Sequence, residues 1–164
     1  MKAVLLLLAL MLQPLAAQEL WKGAKAGMSE AEVRTAIPGL KQPGKPGELA
    51  TGTKEKLYLP DVKIEGETFT AHFYFLGEKL DQVMLTLENK DRTVDAILPL
   101  FETLRTGFIK THGKPTEQKR DKNAVMTLNS DSWDRKDTRL TLIVFGAHLS
   151  EAILNINYQA NPLD

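Results

Sequence analysis

The sequence predicts an α+β domain made of two α-β-β-β repeats, with an antiparallel sheet and helices packed on one face. Three observations lead there. Two stretches place apolar residues at helical spacing, one around Val33, Ala36 and Ile37 and a longer one through Val94, Ile97, Phe101, Leu104 and Phe108. Behind each come segments in which apolar and polar residues alternate with period two, the mark of a strand with one buried and one wet side. Gly77 and Gly146 interrupt these segments where hairpins are expected to turn.

Ahead of the domain, residues 1–17 have the three parts of an export signal. Lys2 is the positive start, Ala3 to Leu12 an unbroken apolar run, and Leu15-Ala16-Ala17 the small residues before a cleavage point at Gln18. The run is too short for the ~30 Å hydrocarbon core of a bilayer, which takes about 20 helical residues. A buried N-terminal helix is the other reading, disfavoured by the lack of a polar face. The expected location is therefore periplasmic or secreted, and no later stretch is apolar enough to form a transmembrane segment. Residues 18–164 are the expected mature domain, with repeats over about 18–90 and 91–164.

The elements follow in order. Ser29 and Glu32 form a capping box, and Met28 and Val33 are placed as a hydrophobic staple across it. Pro38-Gly39 ends this first helix. Residues 41–56, rich in Gly, Pro and Lys, read as a loop. Strands are expected over Leu57–Glu65, over Phe69–Phe75 and again through Val83, Leu85 and Leu87. The long helix is expected from near Asp91 or Thr93, with a kink at Pro99 or a start closer to it, and stops at Gly113 and Pro115. Ala124–Asn129, Thr138–Phe145 and Ala152–Tyr158 complete the strands. Shifting the chain by 69 residues lays Gly77 on Gly146, Leu80 on Leu149 and Leu85 on Leu154. We read this as an internal duplication, the alternative being that any two hairpins look alike.

Composition and motifs narrow the chemistry. The 21 basic and 21 acidic residues balance, so there is no broad attraction to nucleic acid or anionic lipid. The chain has no cysteine, which excludes disulfides, thiolate catalysis, thiolate-bound metals and a lipid anchor on cysteine. His72, His112 and His148 are not at metal-ligand spacing to one another. His112 falls at a helix end, where it suits the dipole. There is no G-x-S-x-G elbow, no G-x-G-x-x-G and no P-loop, so no cofactor is expected. Asp131, Asp134 and Asp137 lack the order of a calcium loop and read as a solvated turn.

The most informative feature is the outward side of the alternating strands. His72, Tyr74, Met84, Ile143 and Phe145 fall there, with Trp133 expected on the rim. That side is more apolar than a solvated face requires, and such patches often mark partner surfaces. The competing reading puts Ile143, Phe145 and Ile153 in a second small core, under the 41–56 loop or against a second copy.

The run Gly27-Met28-Ser29-Glu30-Ala31-Glu32-Val33, then Pro38-Gly39 and a hairpin, resembles one repeat of the beta-lactamase-inhibitor-protein-like fold. The small outer-membrane assembly lipoproteins of bacteria share that pattern. Thr111-His112-Gly113-Lys114-Pro115 with Trp133 and the strands beyond resembles the second repeat of the inhibitors. The resemblance implies tandem helix-plus-sheet units whose open sheet face grips a protein. Membrane anchoring is not carried over, because the lipoproteins' acylated cysteine is absent, and neither is beta-lactamase inhibition, the inhibitors' disulfides being absent as well. The expectation is a non-enzymatic binding protein. A small-ligand carrier with a pocket between helices and sheet, or a hydrolase, are the alternatives.

Overall fold

Period-two alternation sets the architecture of the chain. The structure, a computed structural model, describes residues 19–89, 91–147 and 151–161. The export signal read over residues 1–17, together with His148 and Leu149, lies outside them. The described elements are β1 (Glu19–Trp21), β2 (Ala24–Lys25), α1 (Glu30–Ala36), β3 (Lys54–Ile64), β4 (Glu67–Leu76), β5 (Lys79–Leu87), α2 (Val94–His112), β6 (Glu117–Lys122), β7 (Met126–Asp134), β8 (Thr138–Ala147) and β9 (Ile153–Ala160). Strands β3 to β9 form one seven-stranded antiparallel sheet in the order β3-β4-β5-β9-β8-β7-β6.

Local signals explain most boundaries. Ser29 and Glu32 close the capping box at both ends: the Ser29 N–H donates to Glu32 Oε2 at 2.7 Å, and the Glu32 N–H donates to Ser29 Oγ. Glu65 and Gly66 both take positive φ, 50° and 79°, as a two-residue type I′ turn between β3 and β4 requires. Helix α2 starts at Val94 after the N-cap Thr93 and runs through Pro99 to His112, so it does not begin at the proline.

One face of the sheet carries the core. Phe73, Val83, Leu142 and Leu154, the four residues that alternation places inward, have no exposure. Ile97, Phe101 and Leu104 of α2 join them in one cluster, as do Leu20, Trp21 and Ala24 of the β1–β2 hairpin. The Trp21 and Phe73 rings lie 6.0 Å apart.

Several expectations need correction. The β1–β2 hairpin and β6 were not foreseen. Three sheet strands follow α1 but four follow α2. The second half therefore does not follow the three-strand plan. Strand β6 reads Glu-Gln-Lys-Arg-Asp-Lys and is exposed throughout, so it has no alternation to reveal it. Residues 41–56 are not simply a loop. Lys41 bridges Tyr58 and Glu48 bridges Lys54 along the outer edge of β3, which itself begins at Lys54. Gly146 lies inside β8 rather than at a turn. A Cβ there would stand 2.9 Å from the Ala152 Cα, so close packing is what calls for glycine.

Asp131 is the largest departure. It is fully buried, not in a solvated turn. Arg105 of α2 donates to it at 2.6 Å, Arg120 of β6 at 2.9 and 3.0 Å, and Gln118 at 3.1 Å. The Arg120 guanidinium also lies over the Phe101 ring. One carboxylate thus ties helix α2 and edge strand β6 to β7. Asp131→Asn should lower stability by about 3 kcal/mol in urea unfolding, near the low end for a broken buried ion pair, because both arginines keep some access to water.

Acid should weaken the fold in a defined window. Glu67 takes two hydrogen bonds from Arg92, at 2.7 and 3.0 Å, and Arg92 holds its carboxyl below the usual 4.5. The Ser29 backbone N–H, then its side chain, does the same for Glu32. A carboxyl whose folded pKa is depressed stabilises the fold above about 4.5, and loses that contribution as pH falls through its folded value. Unfolding measured between pH 6 and pH 3 should show this loss below about 4.5, and the Glu67→Gln variant should show a shallower one.

Candidate functional site

The opposite face of the sheet carries no described helix or hairpin, and strand pairing lays out its side chains in rows. One row crosses all seven strands: Tyr58, His72, Met84, Asn157, Thr141, Ser132 and Glu117. The next runs Thr70, Thr86, Asn155, Ile143, Ser130 and Lys119. A third, confined to the second half, pairs Ile153 with Phe145 and Phe145 with Leu128.

Polar groups on this face are largely bonded to one another. Gln82 Nε2 donates to Asn157 Oδ1 at 2.6 Å, and Thr70 Oγ1 donates to Glu88 Oε1 at 2.9 Å. The Ser132 and Thr141 hydroxyls pair at 3.1 Å. His72 Nδ1 lies 2.7 Å from Glu55 Oε1. Because a carboxylate only accepts, Nδ1 is the donor and the neutral ring keeps its lone pair at Nε2. Glu55 is itself buried, and its second oxygen accepts the Gly47 N–H at 3.1 Å. Asn155 is less settled. Its Nδ2 contacts the Met84 sulfur at 3.5 Å, while its buried Oδ1 has no partner among the described residues.

Between these paired groups an apolar strip remains available to another molecule. Met84, Leu128, Ile143 and Phe145 are half-buried, and Ile153 and Met126 are exposed. Four of the sequence-predicted residues, His72, Met84, Ile143 and Phe145, share this face. Two do not serve as expected. Tyr74 points the same way but is buried at 5% exposure. The Gly47 segment folds against its hydroxyl, and burial, with the Glu55 charge adding to it, pushes its phenol up to about 12. Trp133 lies within β7 on the core side, not on a rim. It is 2% exposed, its Nε1 donates to the Gly113 carbonyl at 2.9 Å, and Phe108 meets it edge-on.

The second-core reading is not met by the 41–56 segment. Its Gly47 stretch lies against Tyr74 and Glu55 at the β3 end, away from Ile143 and Phe145. Leu128 and Met126 complete the apolar corner and went unread in the sequence, because Ala124–Asn129 is too short to assign a face by period alone.

Other sites are less developed. His112 sits at the end of α2 against Arg135, and burial, then the Arg135 charge, lowers its pKa. The described depressions lie at the surface, lined by residues such as Glu102, Thr106 and Lys110 in one and Thr86, Glu88 and Ile153 in another. None is lined by His72, so its carboxylate partner does not adjoin a described cleft. Among the described residues, no three His, Asp or Glu side chains converge as a metal cluster, and no helix is long and apolar enough to cross a membrane. No known protein family, curated protein or solved structure matches this chain.

The two aromatic placements have different energetic consequences. Trp133→Ala should cost about 3–5 kcal/mol in denaturant unfolding, as for a buried large side chain. Phe145→Ala, at a half-buried site, should cost only about 1 kcal/mol.

Proposed function

We propose that this chain is an exported, non-enzymatic binding protein that takes a protein partner on the open face of its sheet. The observation that carries the reading is the internal satisfaction of that face. Pairs such as Gln82–Asn157 and Ser132–Thr141 hold part of its polar capacity within the sheet. Between them stands a half-exposed apolar strip of Met84, Ile143, Phe145 and Leu128. A rigid, pre-satisfied surface loses little entropy on docking, and interface cores are poor in charge. One sheet face can supply the ~800 Å² per partner of a standard interface.

The same reading includes export to the periplasm or beyond, resting on Lys2, the Ala3–Leu12 run and Ala16-Ala17. It also includes an ancient duplication. The strand order is symmetric about β5 and β9, and the bridged segment Lys41–Glu48 stands beside β3 as β6 stands beside β7. The likeness to the beta-lactamase-inhibitor-protein-like fold belongs to this proposal and lends it a precedent for gripping through a sheet. The carrier alternative is less well supported, since Ile97, Phe101, Leu142 and Leu154 fill the space between α2 and the sheet without exposure.

A photo-crosslinker placed at Ile143 or Phe145 in the producing cell tests the docking face. A discrete adduct from these positions and none from Lys110, exposed on α2, is the expected result. Equal labelling from both sides of the molecule would overturn the assignment.

A further inference from the structure

We propose that His72 and Met84 form a binding site for a soft monovalent metal ion of the Cu(I) class. The site lies on the same open face but does not depend on protein docking there.

Three observations point to it. First, the His72 ring is already set as a ligand. Its Nδ1 is tied at 2.7 Å to Glu55, whose carboxylate is buried and fixed by the Gly47 N–H. Metal-binding histidines are commonly oriented by such a carboxylate on the second ring nitrogen, which also raises the basicity of the first. The lone pair is then at Nε2, for which the described residues offer no hydrogen-bond partner.

Second, β4 and β5 pair so that Met84 stands directly across from His72. Residues so placed have Cβ atoms about 4.5–5.5 Å apart on one face, within which a thioether and an imidazole can share one ion. Third, the Asn155 amide N–H meets the Met84 sulfur at 3.5 Å, which holds the thioether on this face.

The donor set selects the metal. A soft thioether beside a borderline imidazole suits Cu(I)-like ions, whereas carboxylate, carbonyl and water oxygens suit Mg²⁺ and Ca²⁺. The one carboxylate at hand, Glu55, is already engaged by His72 and Gly47. Binding is simple coordination, with no redox step and no proton lost from a neutral His72.

Ag(I), which is redox-inert and shares this coordination chemistry, is the probe. Silver nitrate is titrated into the purified chain in chloride-free buffer, followed by calorimetry and by NMR of histidine rings and methionine methyls. The expected result is one strong site, with the His72 ring and the Met84 methyl shifting together. Met84→Leu and His72→Gln should each weaken it at least tenfold, and Met126→Leu should leave it unchanged. Shifts confined to His112 or to other methionines, or an affinity equal in all variants, would overturn the proposal. No partner protein enters the titration, so a negative result here leaves the docking reading untouched, and failed crosslinking leaves this one untouched.

Discussion

The pairing of β5 with β9 is the constraint on which the rest of the molecule depends. It brings the last described strand into the centre of the sheet and joins a three-stranded half to a four-stranded one. Its register sets Leu85 opposite Ile156 and Met84 opposite Asn157. Because side chains alternate with period two, a slip of one residue would turn Leu154 and Ile156 onto the open face and drive Asn155 and Asn157 into the core. Unpaired amides buried there would cost several kcal/mol. The hydrophobic pattern of β9 therefore specifies this central junction, and the cross-strand bond from Gln82 to Asn157 is made across it.

This also explains what could be read from residues alone. Val83, Leu85, Leu140, Leu142, Leu154 and Ile156 alternate without interruption, so the central strands and their inward face were legible, as was the Ser29–Glu32 cap. Elements held by polar contacts were not. Strand β6 has no apolar residue and joins the sheet through backbone pairing with β7, with Arg120 and Gln118 donating to Asp131. Nothing in its own composition distinguishes it from a solvated run. Asp131 misleads for the matching reason: its partner Arg105 is 26 positions away, so a buried carboxylate looks like a surface one until the fold supplies its arginines.

Of the candidate face, the residues were legible but their exposure was not. Alternation places Tyr74 beside His72 correctly, yet the Gly47 segment returns over Tyr74 through a contact no period encodes. Trp133 failed differently. Its strand begins at Met126 and runs to Asp134, longer than the short run expected, and the continued alternation carries Trp133 to the side of Leu140 and Phe108.

The functional readings rest on a property that neither a core nor a plain solvated surface has. A sheet face left to water usually carries charged side chains that are individually hydrated. Here His72 is tied to a buried glutamate, Gln82 to Asn157, and Ser132 to Thr141. Each bond fixes rotamers that water alone would leave mobile, at an entropic cost the isolated chain has no evident need to bear. Around these fixed groups lie the soft, polarizable Met84 and the apolar Ile143 and Phe145. Preorganised polar groups with apolar surface between them are what recognition sites are made of.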